Sequence, residues 1–224
     1  MFVEKIEASN MESVNLENAN TIEIEKTLVL SKGKEMSFEE ADALKCNVYF
    51  TKSESYKRNC QCCVVAYELR RRGFNVTAMP NRRIHDSIPF KLSMKTESAW
   101  IDSRTGQFPR KQKIDGELYE NGKWVQKSIA DIGKELLDLT KETGRYHINF
   151  KWKAGSPHIL TLERLSDGGL VIYDPQDGTI LKFAELMSGI RVPRGIDILK
   201  VDKLLINTEI IKGAVQSTST QRSQ

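Results

Sequence analysis

No stretch of this 224-residue chain approaches the roughly 18 to 20 consecutive apolar residues that cross a bilayer. The opening, MFVEKIEASNMESVNLENAN, is acidic and polar and lacks the apolar centre of a secretory signal. The expectation is a soluble chain made in the cytoplasm, without a membrane partner. An excess of one charge is also missing: 34 basic and 30 acidic side chains leave a formal net charge of +4. A nucleic-acid footprint needs basic residues gathered on one face, so no nucleic-acid partner is expected. Disulfide staples are unnecessary, because 39% hydrophobic residues suffice for a core at this length. Of only four cysteines, three stand at positions 60, 62 and 63. Such near neighbours bridge poorly, and a reducing compartment is the simpler reading.

What is present is helix first and strands later. Thr21 to Leu30, TIEIEKTLVL, alternates as one strand before SKGKE breaks it. Ser37 and Glu40 are spaced as a capping box opening a short helix. Asn59 is a favourable N-cap for a helix that Gly73 stops, with Cys62, Val65, Ala66 and Leu69 as its apolar stripe. Arg70, Arg71 and Arg72 then read as a charge effect at the helix end, on a solvated face. FNVTAMP is a short strand, and Ser128 opens a second helix with Ile129, Ile132, Leu136 and Leu139 on one face. From Tyr146 the period becomes twofold. YHINFKW is a half-buried strand, HILTLERL and LVIYD are two more around the SDGG turn, and GIDILKVDKLLI is a late strand or strand pair. This order points to an α+β domain.

Position sorts the three histidines. His85 lies in a polar loop and His147 lies mid-strand, whereas His158 begins a strand beside the open AGSP turn, where a rigid frame can present a side chain. Asp174 ends the next strand, 16 residues on, which suits two strands joined by a tight turn. Cys60 stands at a helix start, whose free N–H groups and dipole favour a thiolate. An imidazole can take the thiol proton and pass it to a leaving amine, and a carboxylate fixes the ring. Cys60, His158 and Asp174 are therefore the candidate catalytic residues of an acyl-transfer hydrolase with a thioester intermediate.

Three stretches, NCQCCVVAYELRRRGFNVTAMP, GRYHINFKW running into GSPHILTLE, and LVIYDPQDG, resemble the papain-fold toxin family across about residues 55 to 180. Its relatives include bacterial glutamine deamidase effectors and domains of phage head-associated proteins. The resemblance implies a papain-like cysteine hydrolase fold, with the nucleophile helix packed on an antiparallel sheet. It sets Cys60 as nucleophile, His158 as base, Asp174 as orienting acid and Gln176 as a supporting or oxyanion group. Cys63, one turn on, is the alternative nucleophile. No glutamine lies about six residues before either cysteine, so Asn59, Gln61 or backbone N–H groups are the candidate oxyanion donors. The implied organisation is a lead-in arm over 1–36, a papain-like domain over 37–210 and a disordered tail over 211–224.

The implied activity is deamidation of glutamine on a target protein by a toxin or effector, delivered into another cell or carried on a phage particle. An immunity protein or a phage or secretion partner would accompany it. A thiol protease and a non-catalytic phage-head or mobile-element binding module are the alternatives. The binding module requires a closed cleft, or His158 and Asp174 too far apart to touch. No cofactor is implied. Cys60-x-x-Cys63 is half of a zinc spacing without its second half, and Cys46 reads as a buried small hydrophobe.

Overall fold

The computed structural model describes residues 2–218, and side chains from residue 11 onward. In chain order, the helices are α1 (Phe2–Leu28), α2 (Ala43–Cys46), α3 (Cys60–Arg71), α4 (Ile88–Met94), α5 (Ile129–Leu139), α6 (Phe183–Gly189) and α7 (Thr208–Ala214). The first strands are β1 (Val76–Ala78), β2 (Trp100–Ile101), β3 (Gln112–Ile114), β4 (Glu117–Glu120), β5 (Lys123–Gln126) and β6 (Gly144–Lys151). The others are β7 (Pro157–Arg164), β8 (Leu170–Tyr173), β9 (Ile180–Leu181), β10 (Ile196–Lys200), β11 (Leu205–Ile206) and β12 (Val215–Ser217).

A six-stranded sheet in the order β3-β10-β6-β7-β8-β9 is antiparallel throughout. One face carries Tyr146, Ile148, Phe150, Leu160, Leu162 and Ile172, packed with Ile132 and Leu136 of α5 and Leu186 of α6. A second core joins α3 to α1, α7 and the β1–β12 pair, and takes in Tyr173 and Leu199 from the sheet. The architecture is α+β, with helices over a central antiparallel sheet.

Burial on both faces changes the reading of β6. His147 is as buried as its neighbours Tyr146 and Ile148, so this is a central strand rather than a half-solvated one. The same holds for α3, which is buried from Cys60 to Arg70. Its arginines are not a solvated face. Arg70 donates to the carbonyls of Glu40 and Val76, Arg71 pairs with Glu163, and Arg72 pairs with Glu68. Gly73 does end the helix, at φ +99°, and a Cβ there would stand 2.5 Å from the Gly33 carbonyl oxygen.

The first and last segments also differ from expectation. Thr21 to Leu28 is helix, not strand. Ile24 and Leu28, four residues apart on one helical face, enter the core, and the Asn20 side chain bonds both the N–H and the C=O of Ile206. Ser37 and Glu40 make both capping-box bonds, but around a turn, and α2 begins only at Ala43. The expected disordered tail is ordered at its start: residues 211–217 lie in α7 and in β12, which pairs with β1. The remainder of that stretch, 219–224, falls outside the described residues.

Candidate active site

The β6–β7–β8 meander brings the imidazole and the carboxylate together. His158 enters at the start of β7, opposite Phe150, and Asp174 follows the end of β8. His158 Nε2 lies 2.5 Å from Asp174 Oδ2. The other carboxylate oxygen accepts from the Gln176 N–H at 2.9 Å, which fixes the rotamer. The rings of Trp152 and Phe150 flank the imidazole, Trp152 stacked at 6.0 Å and Phe150 edge-on at 6.1 Å. Burial alone would lower the imidazole pKa. Hydrogen bonds to Asp174 and Cys60, with the charge of Asp174, outweigh burial and push it up to about 10. The ring is therefore biased strongly toward its protonated form.

Cys60 is the first residue of α3. Its Sγ bonds Gln61 Oε1 at 3.2 Å, and it lines an open cleft of about 800 Å³ with Gln61, His158, Asp174 and Gln176. The other three thiols are sealed in. Burial pushes Cys46 up to about 12 and raises Cys62 and Cys63 as well, so all three stay neutral. Cys63 is absent from the cleft lining and donates to Asn59 Oδ1 at 3.3 Å. The alternative nucleophile thus faces inward, away from any substrate.

Asn59 stands at the N-cap position but makes no side-chain cap bond. It is fully buried, and its Nδ2 donates to Asn47 Oδ1 and to the Met79 carbonyl, each at 3.1 Å. A donor so committed, outside the cleft lining, has no hydrogen to offer an oxyanion. Its expected role is corrected to a structural one. The cap comes instead from Gln176. With its carboxamide oxygen toward the helix, Gln176 accepts from the N–H of Asn59 at 3.1 Å and of Cys60 at 2.9 Å; the reverse orientation would set donors against donors. The Gln176 Oε1 is thereby engaged at the helix start, and an oxyanion hydrogen bond from Gln176 would have to come from its Nε2. Gln61 lines the cleft although it is largely buried, and its Oε1 accepts from the Cys60 thiol, which leaves its Nε2 as the candidate donor.

Two contributors escaped the sequence reading. Asn47 donates to the carbonyls of Gln176 (2.6 Å) and Tyr56 (3.1 Å) and accepts from Asn59, tying the loop that carries Asp174 to the start of α3. Trp152 reads as the last apolar residue of an alternating strand, and only the turn after β6 carries it onto His158. Neither leaves a local signal. Of the histidines read as structural, His85 lies exposed against Phe90 and His147 is buried near Trp100. Among the described residues, no three His, Cys, Asp or Glu side chains form a metal-binding group.

Residues 58–179, over half of the chain, match the family model for papain fold toxin 1, glutamine deamidase. The chain belongs to that family. The matched span opens two residues before Cys60 and closes just beyond Asp174 and Gln176, so it contains Cys60, Gln61, His158, Asp174 and Gln176 of the cleft lining. No curated protein and no solved structure matches. Among the described residues, no helix is long and apolar enough to cross a membrane.

Proposed function

We propose that this protein is a papain-like cysteine amidase acting as a toxin or effector, and that it deamidates glutamine side chains of a target protein. The observation that carries the reading is the contact between His158 and Asp174 at 2.5 Å, beside a cleft-facing Cys60 that interacts with the same imidazole. An open cleft and a formed His–Asp pair favour an enzyme over a binding module.

In this mechanism, Cys60 Sγ loses its proton to His158 and attacks the carboxamide carbon of a substrate glutamine. The carbonyl oxygen takes the negative charge. The donors for it are the Gln61 amide and the Cys60 N–H, which becomes available when a substrate oxygen displaces that of Gln176. Collapse of the tetrahedral species breaks the C–N bond, and His158 hands its proton to the departing nitrogen, releasing ammonia. Water, deprotonated by His158, then attacks the thioester carbonyl. The C–S bond breaks, glutamate is released and the thiol is restored. Asp174 holds the imidazolium formed in both halves.

Deamidation replaces a neutral amide with a carboxylate, which disables a target wherever that amide is buried or hydrogen-bonded. A toxin with such a target requires a cognate immunity protein in its producer and a route of delivery. Mass spectrometry of a lysate exposed to the enzyme tests the reading. A gain of about one dalton at glutamine is expected, with none from Cys60→Ala protein. New amino termini without free ammonia would make it a protease, and no change at all would remove the enzyme reading.

A further inference from the structure

The cleft mouth is asymmetric in charge. Lys57 and Arg58, just before Cys60, and Arg83, on the turn bonded to Ser55 through Asn81, are all exposed and line it. Asp177 is the one exposed carboxylate in the lining, and its Oδ1 is engaged by the Thr179 N–H at 2.9 Å. Asp174, the other carboxylate, is bonded to His158.

Arg83 is held in place by a dedicated support. Its backbone has φ +59°, a left-handed conformation unfavourable for a residue with a Cβ. The support is Asn81, which is buried: its N–H donates to the Ser55 carbonyl at 2.9 Å, and its Oδ1 accepts from the Arg83 N–H at 3.0 Å. A buried side chain thus keeps a strained turn that puts a cation on the cleft. Among the described residues Arg83 has no carboxylate partner. Glu54 faces Lys57 at 2.8 Å and Arg58 at 3.8 Å, but this pairing is exposed and weakened by solvent. Three cations around a mouth bounded by a low-dielectric wall of Trp152, Phe90 and Leu181 focus a positive potential on the incoming chain.

We infer that Lys57, Arg58 and Arg83 select a glutamine that lies in an acidic segment of the target protein. The inference rests on the deamidase reading for its chemistry, but charge selection is measurable without turnover.

The test uses the full chain and short peptides whose central glutamine is flanked by glutamates, by serines or by lysines. Fluorescence anisotropy of labelled peptides on Cys60→Ala protein should rank them glutamate, serine, lysine. The first step should be about tenfold at low salt and shrink toward unity near 0.5 M salt. Replacing Lys57, Arg58 and Arg83 together by Gln should collapse the ratio, and Glu54→Gln, which releases two of the cations, should widen it. Equal binding of the three peptides, a preference for lysine flanks, or no measurable binding would each overturn the inference, as would a ratio that ignores both variants. Ammonia release by the unmodified enzyme separates the two claims. Charge-ranked binding without ammonia from any peptide sinks the deamidase reading alone. Ammonia released equally from all three sinks the charge selection alone.

Discussion

His147 and His158 lie on neighbouring strands of one sheet, both nearly inaccessible, yet their surroundings drive them in opposite directions. Around His147 burial dominates: neither ring nitrogen has a hydrogen-bond partner among the described residues. Burial, opposed by Glu68 and aided by Arg72 and Arg145, lowers its pKa to about 4. Around His158 burial also acts downward, but contact with Asp174 and Cys60 reverses it. Burial alone leaves a neutral ring, whereas burial beside a bonded carboxylate favours the protonated one. The carboxylate near His147, Glu68, is already taken by Arg72 and Arg145, so it cannot do for His147 what Asp174 does for His158.

The largest expected effect comes from removing the sulfur that separates the two surroundings. Cys60→Ala should reduce ammonia release to background while leaving the thermal midpoint within a few degrees. Cys63→Ala should keep turnover and lose stability, by about 1 to 2 kcal/mol, because its thiol is packed and bonded to Asn59. The reverse pattern would move the nucleophile to Cys63. Next, Asp174→Asn should lower kcat by about 10³ to 10⁴ and make His158 resemble His147, with an imidazole pKa that falls instead of rising, as read by NMR titration. A variant whose imidazole still titrates near 10 would show that Asp174 is not the cause.

How much of this contrast could be read along the chain depends on the range of each interaction. The contact of His158 with Asp174 was legible because one tight hairpin is a local feature and the 16-residue spacing follows from strand length, and the place of Cys60 because a helix start is local too. Asn59 misled because N-cap preference describes an isolated helix; here Gln176, more than a hundred residues away, does the capping. Arg70, Arg71 and Arg72 misled for the same reason, since the Glu40 carbonyl that receives Arg70, the Glu163 carboxylate that receives Arg71 and the Val201 and Leu204 carbonyls that receive Arg72 are distant in sequence. The strand expected over Thr21 to Leu30 failed because Ile24 and Leu28, four residues apart, fit both periods, whereas Ile22 fits only the strand. Tertiary burial of Ile24 and Leu28, with Ile22 left 51% exposed, decides for helix. Neither Asn47 nor the strained Arg83 turn has a sequence signature at all.

Glu68 offers a third way to sharpen the comparison. Burial would raise its pKa, but Arg72 and Arg145 outweigh burial and hold it at about 2. The stability it contributes is therefore complete above the unfolded value near 4.5 and is lost as pH falls toward 2. Glu68→Gln should flatten that acid limb in urea titrations. It should also cost roughly 3 to 5 kcal/mol at neutral pH, since two arginine side chains would lose their shared counter-charge. A cost below about 1 kcal/mol would mean that solvent reaches the cluster.

The smallest effect is the most direct comparison of the two rings. With a folded pKa near 4 against about 6.5 unfolded, His147 contributes stability that is fully present above pH 6.5 and lost as pH falls toward 4. The gap corresponds to at most about 3 kcal/mol. His158 has the opposite sign: its contribution is complete below pH 6.5 and is lost as pH rises through about 10. His147→Leu should remove the fall between pH 6.5 and 4 and leave the alkaline limb in place, because the two rings have different partners. Asp174→Asn should do the converse. If either substitution altered both limbs equally, the two histidines would be sharing one electrostatic environment, and a sealed site beside a reactive one would be the wrong description of this sheet.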